Sequence, residues 1–78
     1  MQLVRYFAGA RAAAGRSEEK VEATTLAGLI AAVTTGRPEL DRVLQASSFL
    51  VDGLVCHDRA AHLPNDATID VLPPFAGG

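Results

Sequence analysis

The residues best suited to chemistry are the last ones, where Pro73-Pro74-Phe75 is followed by one alanine and then by Gly77-Gly78. Glycine has no Cβ, so this pair can lie extended in a channel too narrow for any other residue. The six residues from Pro73 onward reach at most roughly 20 Å. We therefore expect residues 73–78 to form an extended tail that enters another protein's active site, and residues 1–72 to form the folded domain.

The group that such a tail would deliver is the main-chain carboxylate of Gly78. Resonance and negative charge both oppose attack on a carboxylate, but activation as an acyl-adenylate would supply a leaving group. A sulfur donor could then convert it into a thiocarboxylate. No residue of the tail can perform these steps, so the hypothesis requires a partner that uses ATP, and we expect no cofactor on this chain. The alternative is an inert, frayed terminus.

The elements that must position this tail can be read from hydrophobic periodicity. Apolar alternation predicts strands over residues 2–8, 17–23, 49–51, 54–56 and 67–72, with a tight turn at Asp52-Gly53. An apolar stripe predicts one main helix, beginning after an N-cap at Thr24-Thr25 and ending at Gly36; its members are Leu26, Leu29, Ile30 and Val33. We expect a loop with room for one helical turn over residues 9–15, and a short second helix over 38–44.

The order ββαβββ predicts an α+β domain, in which the main helix packs across a mixed sheet of about five strands. Alternation places Phe7 on the face opposite Val4 and Tyr6. It likewise places Leu72 beside Asp70, on the face opposite Ile69 and Val71, where we expect Asp70→Ala to be nearly neutral. Apolar residues that the core does not use, namely Phe7, Leu72 and Phe75, indicate an interface. A minor second core under the loops is the alternative.

A final strand followed by Pro-Pro, an apolar residue, a small residue and Gly-Gly resembles the sulfur-carrier family of ubiquitin-like β-grasp proteins. Within this family, the pattern most resembles that of the small subunit of molybdopterin synthase (MoaD-like). The opening strand with Arg11, Thr25-Leu26 with Leu29, and Val51-Asp52-Gly53 extend the resemblance over nearly the whole chain. Asn65-Asp66 departs from the family's Asp-Gly, and the loop before it is slightly longer.

This resemblance implies a function for the tail and a set of contact residues. Gly78 would be adenylated and converted to a thiocarboxylate, with Gly77 fitting the adenylation site. The sulfur would build the dithiolene of molybdopterin inside a large catalytic subunit (MoaE-like), in a heterotetramer, and an E1-like enzyme (MoeB-like) would activate the tail. The chain itself would contribute no catalytic acid or base. The partner contacts implied are Phe7, Arg11, Val55, Leu72 and Phe75.

Three other functions stay open from the sequence. The same chemistry could serve thiamine-thiazole or cysteine synthesis. The tail could instead form an isopeptide bond with lysines, as in a ubiquitin-like modifier, or the domain could be a binding module whose tail is idle. Conjugates in cell extract would identify a modifier, and normal activity without Gly78 would identify an idle tail.

Composition limits the remaining classes. The 78 residues are 49% hydrophobic and 21% charged, which is typical of one small packed domain. A net charge of −2 gives no electrostatic case for nucleic acid or an anionic membrane. The single cysteine, Cys56, is more typical of a small buried hydrophobe than of a sulfur relay, and His57 and His62 fit no metal motif. Without a signal peptide or an apolar run of about 18 residues, we expect a cytoplasmic protein.

Overall fold

A five-stranded mixed sheet with helices on one face forms the protein. The computed structural model describes residues 1–74. The elements in chain order are β1 (Gln2–Tyr6), α1 (Ala8–Ala14), β2 (Glu18–Val21), α2 (Leu26–Thr34), α3 (Pro38–Gln45), β3 (Ser48–Val51), β4 (Leu54–Val55) and β5 (Thr68–Leu72). The strand order is β2-β1-β5-β3-β4, with β1 and β5 parallel and the other pairs antiparallel. The predicted ββαβββ order of the main elements is confirmed.

The inner face of the sheet carries the core. Val4 and Tyr6 of β1, with Ile69 and Val71 of β5, are fully or almost fully buried beneath the helices. The predicted stripe of α2 and two leucines of α3 complete this cluster; they are Leu26, Leu29, Ile30, Val33, Leu40 and Leu44. The predicted assignment of faces in β1 and β5 is therefore confirmed.

The prediction of a loop between β1 and β2 is wrong, because residues Ala8–Ala14 form the helix α1. Its alanines have the highest intrinsic helix propensity, and Ala10 is buried in the core. Gly15, with a φ of 75°, ends the helix in the left-handed region that favours glycine. This helix is difficult to predict from the sequence because the segment has no apolar stripe and contains Gly9. The short helix predicted after Pro38 is confirmed as α3.

The start of α2 is fixed both by a cap and by a distant loop. Thr25 Oγ1 accepts a hydrogen bond from the Gly28 amide at 3.1 Å, as predicted for the N-cap. The amides of Leu26 and Ala27, in the first turn of the helix, donate to the carbonyls of Ala61 and Arg59 at 3.1 and 2.7 Å. The irregular segment after β4 thus satisfies the helix N-terminus, which leaves no open anion site there.

A turn at Asp52-Gly53 connects β3 to β4 and also holds the beginning of β5. Both turn residues have positive φ, 49° and 85°, the combination found in type I′ hairpin turns. Asp52 bonds Thr68 twice: its amide donates to the Thr68 carbonyl at 2.8 Å, and its Oδ1 accepts from the Thr68 amide at 2.9 Å. The strand that leads to the tail is therefore fixed where it begins.

None of the helices formed by residues 1–74 combines the length and apolar character needed to span a bilayer.

Candidate functional site

The tail leaves the domain from the middle of the sheet. β5 lies between β1 and β3, and its last residue, Leu72, stands opposite Ser48 of β3. Pro73 is buried and Pro74 is exposed. Because neighbouring strands hold β5 on both sides, the point where the tail begins is fixed relative to the domain. The predicted site residues Phe75, Gly77 and Gly78 lie outside the described residues.

Two of the predicted contact residues meet at the tail exit. Phe7 directly follows β1, which runs parallel to β5 and pairs Tyr6 with Val71. Phe7, just beyond β1, and Leu72, the last residue of β5, therefore lie at the same end of neighbouring strands, on the outer face of the sheet. Phe7 is 39% exposed and Leu72 is half-buried. The predicted apolar surface thus begins where the tail begins.

The third predicted apolar contact lies further along the same face. Val55 of β4 stands opposite Leu50, which in turn stands opposite Asp70. Val55 is 57% exposed, and Leu54 beside it is 75% exposed although it was not among the predicted residues. The sequence could not identify Leu54, because a strand of only two residues is too short for alternation to show which of its side chains is exposed.

The outer face also carries an ion pair that the sequence prediction missed. Arg5 Nε donates to Asp70 Oδ1 at 2.6 Å, and Arg5 Nη2 donates to Oδ2 at 2.9 Å, a bidentate arrangement. The Asp70 side chain is 11% exposed and that of Arg5 is 46% exposed. The hydrogen bond and charge of Asp70 raise the pKa of Arg5 above its ordinary value. The expectation that Asp70→Ala would be nearly neutral is therefore withdrawn.

Arg5 also links the ion pair to the tail exit. Its guanidinium carbon lies 5.8 Å from the centre of the Phe7 ring, within the range of a cation–π contact. On the other side of β1, Glu18 of β2 stands opposite Arg5 and adds to the raised pKa of the guanidinium. Arg5 therefore lies between two carboxylates, next to the partly exposed ring of Phe7 at the exit.

The predicted contact Arg11 lies on α1, just beyond the exit. It is exposed, and its main-chain carbonyl accepts the capping hydrogen bond from Gly15 at 3.0 Å. Within residues 1–74 its guanidinium makes no hydrogen bond or ion pair with another side chain. The position is compatible with a partner contact, which stays a prediction.

A second polar network lies on the inner side of β1 and β2. The buried Tyr6 hydroxyl donates to Glu19 Oε2 at 2.9 Å, and Arg37 Nη1 donates to the same oxygen at 2.7 Å. Arg37 Nη1 also donates to the Val33 carbonyl at 3.2 Å. Burial, followed by the bond to Glu19, raises the pKa of Tyr6 well above its ordinary value. This network joins the sheet to the junction between α2 and α3.

The remaining polar candidates do not converge. Cys56 is half-buried and packs against the core, and its thiol lies 3.4 Å from the Asp58 carbonyl. His57 and His62 are exposed, and His62 forms a backbone bridge with Thr25. In the described part of the chain, no three His, Cys, Asp or Glu residues are grouped as metal ligands.

Solved structures with the same fold include two archaeal modifier proteins and a complex of two protein subunits. SAMP1 from Haloferax volcanii has a TM-score of 0.85 at 19% identity, covering 99% of this chain and 98% of that one. The small archaeal modifier protein 1 from Methanosarcina acetivorans has a TM-score of 0.86 at 22% identity, with 99% and 95% covered.

The third structure is a complex of subunits 1 and 2 of the molybdopterin-converting factor from Helicobacter pylori. It matches with a TM-score of 0.75 at 21% identity, covering 99% of this chain and 97% of that one. These similarities establish the β-grasp fold. A search among curated proteins found no sequence match. The family model of the ThiS family matches residues 4–78, and the chain therefore belongs to the ThiS family.

Proposed function

We propose that the chain is a sulfur carrier and the small subunit of a molybdopterin synthase. The observation that carries the proposal is the family match, which runs from β1 through the whole tail to Gly78. The anchored exit of β5 supports it, because a fixed exit lets a partner locate the tail by binding the domain. A structure of subunits 1 and 2 of a molybdopterin-converting factor shares the fold.

The chemistry takes place on the Gly78 carboxylate, with partners supplying the reagents. A carboxylate oxygen attacks the α-phosphorus of ATP, and pyrophosphate leaves. Sulfide then displaces AMP from the acyl-adenylate and loses its proton, which gives a thiocarboxylate. If the donor is a persulfide, the first product is an acyl disulfide, and a thiol must reduce its S–S bond to release the thiocarboxylate. In the synthase, this sulfur is transferred to the molybdopterin precursor, and water attacks the acyl carbon as the C–S bond breaks, which returns the carrier to the carboxylate form. The activating partner is an E1-like enzyme of the MoeB type.

The chain's own contribution is delivery. Pro73 and Pro74 restrict φ and stiffen the chain where it leaves β5. The tail reaches at most roughly 20 Å, so an active site that receives Gly78 must lie against the domain. We define the docking face as the outer-face apolar residues that begin at the exit; its predicted members are Phe7, Val55 and Leu72. Arg11 and Phe75 are predicted to add further contacts. The large subunit binds there, in a heterotetramer.

A second candidate is a ubiquitin-like protein modifier, favoured by the fold shared with two SAMP1 proteins. It uses the same adenylate but ends in an amide bond to a lysine. A tagged chain expressed in its own cells would then produce conjugates that survive denaturation and reduction. A carrier for thiamine thiazole or cysteine would show no conjugates and would bind a different acceptor enzyme.

The direct test is intact-mass spectrometry of the chain after incubation with its activating enzyme, ATP and a sulfur source. We expect exchange of one oxygen for sulfur at Gly78, and none in a matched variant that lacks Gly78. Unchanged mass, in an assay where a control carrier is converted, would remove the sulfur-carrier proposal. Copurification of the cognate large subunit distinguishes molybdopterin synthesis from the other carrier routes.

A further inference from the structure

Arg5 has hydrogen-bonding capacity that the domain does not use. A guanidinium carries more N–H donors than one carboxylate accepts, and here only Nε and Nη2 donate to Asp70. Within residues 1–74, Nη1 has no hydrogen-bond partner. Since the Arg5 side chain is 46% exposed, water can reach the guanidinium in the free chain.

The surroundings of Arg5 make these unused donors important for any protein that covers the face. Phe7 lies beside the guanidinium, and Leu3 and Leu50 flank the ion pair on the same side of the sheet. A partner that covers this apolar surface also removes water from Arg5. Burying a donor of a charged group without a partner is strongly unfavourable, so the covering surface must supply an acceptor.

Neighbouring charges decide what kind of acceptor fits. Glu18 and Asp70 stand opposite Arg5 on its two sides, so two carboxylates already flank one guanidinium. A third carboxylate would be repelled by both. A neutral oxygen, from a main-chain carbonyl or from an amide or hydroxyl side chain, accepts the hydrogen bond without that repulsion.

We propose that Arg5 is a specificity-determining residue of the docking face, whose Nη1 donates to a neutral oxygen acceptor on the large catalytic subunit. The inference rests on the proposed function. The large subunit is the occupant because the face is continuous with the tail exit: Phe7, in contact with Arg5, directly follows the strand beside β5. A tail that reaches only roughly 20 Å brings its acceptor protein onto this surface.

The test replaces the whole ion pair by apolar residues and measures affinity for the cognate large subunit by calorimetry. Arg5→Leu/Asp70→Val removes both charges, and such replacements of partly buried pairs are often neutral for folding. If the pair only fills the face, the added apolar surface keeps or increases affinity. If Arg5 donates to the partner, the acceptor on the large subunit is left unpaired. We expect at least about tenfold weaker binding with an unchanged melting temperature.

Two further variants complete the test. Lys20→Ala removes another exposed cation from the same face, opposite Leu3, and we expect affinity within about twofold of the parent. Arg5→Lys keeps the charge but not the fork of donors, and we expect intermediate affinity. It also retains a partner for Asp70, so it tests the proposal even if the double variant folds poorly. Salt should change the affinity of the parent and of the double variant by similar factors, because the acceptor is neutral.

The outcomes separate this inference from the function on which it rests. A parent chain that fails to bind the large subunit overturns both. A parent that binds, with Arg5→Lys and the double variant binding equally well or more tightly, overturns the role of Arg5 alone. An equal loss of affinity in Lys20→Ala would mean that positive charge in general, and not Arg5 in particular, supports binding. A steep salt dependence of affinity in the parent alone would contradict a neutral acceptor.

Discussion

The two faces of the sheet each carry an arginine–carboxylate pair, and the pairs differ in how completely they are enclosed. On the inner side, Glu19 accepts from both Tyr6 and Arg37, and Arg37 also bonds the Val33 carbonyl. On the outer side, Arg5 and Asp70 make side-chain hydrogen bonds to no other residue among 1–74, and the guanidinium lies over the Phe7 ring. The closed network joins elements of the fold, whereas the open pair presents unused donors to a partner.

The apolar residues of the two faces differ in the same way. Those of the inner face form one cluster with α2 and α3 and are almost completely buried. Those of the outer face include Phe7, 39% exposed, and Val55, 57% exposed. The buried residues of the inner face therefore stabilise the domain, whereas the exposed residues of the outer face are available for docking.

The largest expected effect belongs to the inner face. Ile69 is fully buried and stands between Val4 and Val51 in the sheet. Ile69→Ala should lower the free energy of unfolding by about 2–4 kcal/mol because it leaves a cavity. Val55→Ala on the outer face should change it by less than about 0.5 kcal/mol. Urea denaturation measures both, and similar losses in the two variants would contradict the division between the faces.

The two residues of the outer ion pair should differ in how much their replacement lowers the free energy of unfolding. Arg5→Leu leaves the Asp70 carboxylate, 11% exposed, without its partner, whereas Asp70→Ala leaves a guanidinium that is 46% exposed and can be hydrated. We expect losses of about 2–3 kcal/mol for Arg5→Leu and about 1 kcal/mol for Asp70→Ala. Chemical denaturation of the two single variants measures the order, and a larger loss for Asp70→Ala would reverse our interpretation of which group depends on the other.

Much of the fold could be predicted because it follows local periodicity. The stripe and N-cap of α2, the turn at Asp52-Gly53 and the alternation in β1 and β5 are properties of short segments. They placed Phe7 and Leu72 on the outer face correctly. α1 could not be recognised by the same means, since an alanine-rich segment has no stripe that distinguishes a helix from a loop.

The polar contacts could not be predicted because they depend on register between distant strands. Arg5 and Asp70 are 65 residues apart and meet only because β1 and β5 pair in parallel in one particular register. Tyr6, Glu19 and Arg37 likewise come from three separate segments of the chain. The sequence shows that these charges exist, but not which carboxylate each arginine meets.

The tail provides a way to extend the comparison beyond the sheet. If Phe75 anchors in a partner pocket, its burial contributes about 1.5–3 kcal/mol to binding. Phe75→Asp should therefore weaken affinity for the large subunit by at least about tenfold, while the melting temperature of the isolated chain stays nearly constant. Phe75→Leu, the matched control, should retain most of the affinity. A large fall in melting temperature would assign Phe75 to the core of the domain.

Removing the Tyr6 hydroxyl tests the closed network and should have a modest effect. Tyr6→Phe removes one donor to Glu19 but leaves the bond from Arg37, so at neutral pH we expect a loss of about 1 kcal/mol. Because the folded state raises the pKa of Tyr6, the unfolded chain releases this proton first as the pH increases. The contribution is thus complete below about pH 10 and decreases above it. Denaturation of parent and variant on both sides of pH 10 measures this change.

Tyr6 is the only tyrosine and the chain has no tryptophan, so the ultraviolet absorbance of tyrosinate reports this one hydroxyl. In the folded chain we expect its titration midpoint well above the ordinary pKa of 10.0, because ionisation would place a buried phenolate beside Glu19. In urea the midpoint should return to about 10. A midpoint near 10 in the folded chain would mean that water reaches the hydroxyl. The inner network would then be as open as the Arg5–Asp70 pair, and the contrast between the two faces would rest on their apolar residues alone.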